Sequence, residues 1–183
     1  MQKWLHQSIS MKLNFPLSDR TNLSFWAIGG VSDEDEDPEL DGDFSSEEIF
    51  KSKTYMAGMT LSHFFKNDDE LETRLSYSGN ASDYIFNGRN TVTDNTFGDS
   101  DILKNSAFRF ATDYTKKISA KITVNSGVVF SALNYDVLTT ETENETRTDV
   151  VKERGHGSMT QAYVQTKYRF SNNFSSTVGL HGT

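Results

Sequence analysis

The sequence predicts an all-β chain. The expected fold is an antiparallel, up-and-down transmembrane β-barrel segment of about eight strands, with short turns at one end and long loops at the other. Three observations predict it. Apolar and polar residues alternate with period two in one segment after another, the pattern of strands with one greasy and one wet face. Short and long connections strictly alternate along the chain. Each short turn follows a strand that ends in an aromatic residue: Phe15, Phe65, Tyr114 or Phe170.

The first strand, 8–15, sets Met11, Leu13 and Phe15 against Lys12 and Asn14. The second, 21–30, presents Leu23, Phe25 and Ala27. The third, 53–65, alternates Ala57, Met59 and Leu61 with Gly58, Thr60 and Ser62. The fourth, 70–80, sets Leu71, Thr73, Leu75 and Tyr77 against Glu72, Arg74, Ser76 and Ser78. The fifth, 106–115, carries Phe108, Phe110, Thr112 and Tyr114 opposite Arg109, Ala111 and Asp113. The sixth, 119–135, places Ile122, Val124, Val128 and Phe130 against Lys121, Asn125 and Gly127. The seventh, 159–170, presents Ala162, Val164, Thr166 and Tyr168 against Gln165, Lys167 and Arg169. The eighth, 174–183, closes with Val178 and Leu180. Tight turns are expected near residues 18, 68, 117 and 172, and long polar loops over 31–52, 81–105 and 136–158. Residues 1–183 therefore read as a single β-barrel segment.

Composition agrees. Apolar residues are only 35% of 183, yet aromatics reach 12%, which argues against disorder. Just two prolines interrupt the pairing segments. No apolar run approaches the ~20 residues of a membrane helix, a test that strands escape because only half of each is apolar. The net charge of -8 disfavours a nucleic-acid partner. With no cysteine, thiol catalysis and Cys-ligated zinc are excluded. MQKWLHQSIS lacks the apolar core of a signal peptide, so an exported form is expected to be part of a longer chain.

Two stretches resemble a known family. Met159–Phe170 with the turn at 171–173 and Val178-Gly-Leu-His-Gly182 is similar to a barrel hairpin of TonB-dependent outer-membrane receptors. Leu13–Gly30 resembles an earlier hairpin of the same barrels. The resemblance implies a 22-stranded barrel in the bacterial outer membrane, import of a scarce nutrient, and energy coupling to TonB through a plug that this chain lacks. About eight strands would be an interior part of such a wall. Outer-membrane lipid is the partner expected for the apolar faces.

The sharpest local feature is acidic. Ten carboxylates fall within residues 33–48. Asp37, Glu39, Asp41 and Glu48 occupy positions one, three, five and twelve of a calcium-loop spacing, with Gly42 at the sharp turn and Asp43 beside it. Calcium is the cofactor this spacing suggests, against a solvated acidic loop. On the strands, Glu72, Arg74, Arg109, Asp113, Lys121, Gln165 and Lys167 lie opposite apolar positions and are expected to face the lumen, as a solute path or a hydrated wall with cross-strand ion pairs. The chain is expected not to be an enzyme: His156 and Ser158 lack a carboxylate-oriented triad. The sequence leaves two other readings open. One is a complete eight-stranded outer-membrane barrel with a structural or adhesion role; the other is a soluble, lipocalin-like ligand-binding barrel with its apolar faces inward.

Overall fold

The computed structural model describes residues 3–36 and 38–183. Its regular elements there are all strands: β1 (Lys3–Ser18), β2 (Thr21–Asp35), β3 (Glu39–Asp41), β4 (Phe44–Phe64), β5 (Glu70–Asn90), β6 (Thr96–Lys117), β7 (Ile122–Glu143), β8 (Thr146–Arg169) and β9 (Ser175–Gly182). The eight long strands form one antiparallel sheet in chain order, and the short β3 pairs only with β4. This is the up-and-down order expected from the alternating connections. Tight connections follow β1, β4, β6 and β8, at one end. The sheet is open, since β1 pairs with β2 alone and β9 with β8 alone.

The long connections do lie at the opposite end, but most of their residues are strand rather than loop. β5 and β6 stay paired up to Arg89 and Thr96, and β7 and β8 up to Glu143 and Thr146. The reason is chemical. Segments such as Thr139–Glu143 carry Thr on both faces and charge on one, so they show no apolar alternation. Their β-branched residues still favour the extended backbone. The β7–β8 connection is a two-residue turn at Asn144 and Glu145, both with positive φ, as a type I′ hairpin demands. Gly42 (φ 59°) opens the turn between β3 and β4, where a side chain would be strained. A second correction concerns Lys121, which lies in the turn before β7 and not on a strand. Its N–H donates to Ser119 Oγ at 3.2 Å.

Cross-strand register fixes the faces. Leu13, Phe25, Met59, Leu75, Phe110, Phe130 and Thr160 stand in one line across the sheet. Leu180 shares that face through its pairing with Val164. These side chains are not packed into a core. Phe110 and Phe130 are each 37% exposed, and Leu180 is 78% exposed. Among the described residues Ala111 is the one buried hydrophobic side chain. Burying a Leu or Phe is worth about 1.5–3 kcal/mol, so a water-soluble sheet would forgo that at every position of the line.

Aromatic rings border this apolar face. At the tight-turn end His63 packs edge-on against Phe65, Phe65 against Tyr114, and Tyr168 against Phe170. At the other border Tyr55 and Tyr77 lie 6.0 Å apart. From His63 to Tyr55 the strand rises about 27 Å, or about 20 Å once tilted, against a membrane-facing apolar band of about 25 Å.

Candidate functional site

The face opposite the apolar band carries a polar network that crosses five strands. It starts on β4, where Ser62 Oγ donates to Glu72 Oε2 at 3.4 Å. On β5, Glu72 Oε1 lies 3.3 Å from Arg74 Nε. Arg74 then spans to β6, pairing through its Nη2 with Asp113. From β8 the Tyr163 hydroxyl donates to the other oxygen of Asp113, and it lies 3.3 Å from Asn125 Oδ1 on β7. Gly127 is what lets Tyr163 reach that far. It sits on β7 directly between Asp113 and Tyr163 in the register. A Cβ there would meet Tyr163 Cε1 at 2.6 Å and the Thr112 carbonyl at 2.9 Å.

Arg74 is half exposed while the Asp113 side chain is only 12% exposed. The pair therefore works mainly as an orienting device, since ion pairs with a wet partner are worth about 0–1 kcal/mol. Nearby, Arg109 Nε donates to the buried Ser131 hydroxyl at 3.3 Å. Gln165 pairs in register with Asn125, and Lys167 with Thr123, so both share this face. Of the lumen-facing residues expected from sequence, Glu72, Arg74 and Asp113 thus form one network. Arg109, Gln165 and Lys167 lie beside it, and Lys121 lies in a turn.

The alternation had set Ser62 and Asn125 on the polar face; what sequence reasoning missed is the reach of Tyr163 to Asp113. The signal was an isolated glycine inside a strand, which marks a close approach by a neighbour. It also missed an apolar stripe on the same face, where Ile28, Met56, Ala107 and Leu133 fall on one register line. Ile28 and Leu133 are each 49% exposed there.

The acidic segment takes a form different from a calcium loop. Glu39 and Asp41 lie on β3, Asp43 in the turn, and Glu48 further along β4. The resulting hairpin spreads the carboxylates along a ladder, with Glu39 opposite Ser46 and Asp41 opposite Phe44. Asp37 lies outside the described residues. Among the described residues no three His, Asp or Glu side chains come together to hold a metal ion.

Beyond the band the polar-network face is acidic, while the band face carries both signs, with Asp33, Glu47, Asp83 and Asp136 standing there among the cations. Glu34, Glu48, Asp99, Asp101, Glu141 and Glu153 alternate onto the polar-network face. Lys51, Lys53, Arg89, Lys104, Lys152 and Arg154 alternate onto the face that carries the band. No sequence-level charge count reveals this, because the two signs interleave along each strand.

At the tight-turn end Asp69 is buried to 1% exposure and ties two turns together. It accepts from Tyr114 Oη at 2.6 Å, from Asn67 Nδ2 at 2.7 Å and from the Lys117 N–H at 3.0 Å. The Tyr114 hydrogen bond, reinforced by the other two donors, holds this carboxyl below its ordinary value against the opposing pull of burial.

An open, up-and-down sheet with an exposed apolar band, aromatic borders and a polar opposite face matches known structures. The chain superposes on the ferric yersiniabactin uptake receptor FyuA from Yersinia pestis with a TM-score of 0.70 over 97% of its length, at 6% identity. The fold is that of an outer-membrane receptor wall. The ferric-catecholate import receptor Fiu of E. coli K12 gives 0.68 over 97% at 8% identity. The siderophore receptor PiuA of Acinetobacter baumannii gives 0.66 over 97% at 11%. The likeness to receptor barrels suggested by the Met159–Phe170 hairpin therefore holds for the fold. The chain spans 28% of the first of these receptors and 32% of each of the other two. No family model matches the chain, and no curated protein matches it by sequence.

Proposed function

We propose that this chain forms part of the wall of a TonB-dependent transporter in the bacterial outer membrane, importing a scarce nutrient. The observation that carries the reading is the exposed apolar face. Its line from Leu13 to Thr160 has no cover in the fold, while the opposite face holds the hydrogen-bonded network around Asp113. Lipid supplies that cover, and the polar face then borders a hydrated lumen. Cargo moves by binding and release along that wall, with no covalent step. Energy coupling belongs to a plug and its TonB contact elsewhere in the protein. Further strands on either side satisfy the free edges of β1 and β9. Its relatives in fold include a ferric yersiniabactin uptake receptor and a ferric-catecholate import receptor, which makes an iron complex the cargo to test first.

Because the chain has no cysteine, single-cysteine labelling tests the topology cleanly. Asn144→Cys at a hairpin tip should react with a membrane-impermeant maleimide on intact cells. Asp68→Cys at a tight turn should react only after the outer membrane is opened. Equal labelling of both sites refutes the orientation, and release by alkaline carbonate refutes the membrane location. Deleting the gene should abolish uptake of a ferric siderophore that the parent strain accumulates; unchanged uptake of a panel of such complexes refutes the cargo class.

A further inference from the structure

We infer that the lipid side of this wall holds a binding site for the phosphate-bearing headgroup of a membrane lipid, centred on Lys104, Arg154 and His156. The inference rests on the membrane reading above and adds a specific lipid contact to it.

The site is built from successive register lines on one face. The line Ala57, Tyr77, Phe108, Ala132 belongs to the apolar band. One step further out come Tyr55, Gly79, Ser106, Asn134 and His156, which mix ring, small and polar groups. The next step is Lys53, Ala81, Lys104, Asp136 and Arg154, where cations dominate. Greasy, amphipathic and cationic lines thus follow in the order in which an anionic lipid presents tail, interface and headgroup.

Shape supports the same reading. A hollow of about 570 Å³ opens here, lined by Tyr55, Tyr77, Lys104, Asp136, Arg154 and His156 among others. Ala81, a small residue, is part of its lining. A Cβ on Gly79 would collide with the Tyr55 ring, which lies flat over that glycine. Arg154 is anchored by Asp136, whose Oδ2 accepts from Nε at 3.2 Å and from Nη2 at 2.7 Å. Asp136 is thereby used up, while Lys104, its direct neighbour in the register, keeps an ammonium group with no ion-pair partner among the described residues. An oriented guanidinium beside a free ammonium suits a phosphate, which accepts from both. Continuity with the apolar band selects a lipid over free phosphate as the occupant. A net charge of -8 for the chain makes this cationic line a local exception that a general electrostatic attraction does not explain.

The test uses the full-length protein extracted from outer membranes in a zwitterionic detergent. Bisphosphorylated lipid A is titrated against it, with fully dephosphorylated lipid A and inorganic phosphate as parallel probes, and bound lipid is read by native mass spectrometry. Saturable binding of the bisphosphorylated form is expected, at least tenfold tighter than the dephosphorylated form, with no retention of inorganic phosphate. The double variant Lys104→Gln, Arg154→Gln should lose that preference, and Lys12→Gln on the lumen face should keep it. Equal binding of the two lipids, or an unchanged preference in the double variant, overturns the site but leaves the membrane reading standing. Tight binding of inorganic phosphate alone overturns the lipid assignment. Recovery of the wild-type protein in the soluble fraction overturns both the site and the membrane reading. Should the double variant fail to assemble, Lys104→Gln alone, which touches no ion pair, carries the comparison.

Discussion

Tyr163 hydrogen-bonds Asp113 from two strands away, passing its ring over the bare backbone of Gly127. Similar pairs recur elsewhere in the sheet. Trp26 lies against Gly58, and a Cβ on that glycine would meet its Cζ2 at 2.6 Å. Such ring-over-glycine contacts restore the packing that glycine costs a strand, and they pin the register.

Gly127→Val should therefore be strongly destabilising. Overpacking costs about 1–3 kcal/mol, and here the blocking atoms include the fixed Thr112 carbonyl. Heat-modifiability on gels should show a lower unfolding temperature for Gly127→Val than for Val128→Ala next to it. An equal temperature for both would show that Tyr163 does not need the gap.

The Asp113 network should bear on transport more than on assembly. Tyr163→Phe removes one donor but leaves Arg74 on Asp113, a loss of about 0.5–1.5 kcal/mol. Arg74→Ala leaves a mostly buried carboxylate without its cation and should cost more. Uptake rate and unfolding temperature should both fall in the order wild type, Tyr163→Phe, Arg74→Ala.

Charge tolerance should differ between the faces. Phe110→Arg places a cation near the middle of the apolar band, at a cost of about 2–4 kcal/mol in an outer-membrane barrel. Its immediate neighbour Arg109 already carries a charge toward the lumen. Membrane-inserted yield should collapse for Phe110→Arg and stay near wild type for Ala107→Arg, which lies on the lumen face. The opposite ranking would reverse the two faces.

Acid sensitivity should trace to Asp69. Its carboxyl is depressed in the fold, mainly by Tyr114, so folding is favoured most where it is ionised in both states. That contribution is complete above the unfolded value of about 3.9 and fades as pH falls through the lower folded value. Thermal melts between pH 6 and pH 2 should show an acid-induced loss in wild type that Asp69→Asn lacks. Parallel curves would show that the shift contributes nothing to stability.

Glu145 carries a positive φ of 66° in the β7–β8 turn, where glycine is the favoured residue. Glu145→Gly should raise stability by about 1 kcal/mol, read as a higher unfolding temperature.

Period-two alternation made the membrane parts of the strands legible, because lipid on one side and water on the other impose opposite chemistries on neighbouring residues. The same rule hid the outer halves. Around Val137–Glu143 both faces meet water, nothing forces alternation, and only β-branched content and the Asn144 turn hint at a hairpin. Among the site residues, Glu72, Arg74 and Asp113 were legible as charges opposite apolar positions. Tyr163 was not, since its reach depends on which glycine lies across from it. The acidic spacing at residues 37–48 suggested a loop because spacing alone carries no information on pairing, and β3 pairs with β4 instead.

Long hairpins in place of floppy loops have a consequence for how the protein meets its surroundings. β8 runs 24 residues in one ladder, about 80 Å of chain, of which a tilted crossing needs only about 9–11 residues. A secreted protease must pull an unpaired stretch into its cleft, and here the backbone amides are already spent on neighbouring strands. Nicking should concentrate at the tips outside the ladder, chiefly 91–95, whose amides bond only within their own turn or to Asp43, leaving the chain as a ratchet-stiff stalk that weathers digestion as a unit.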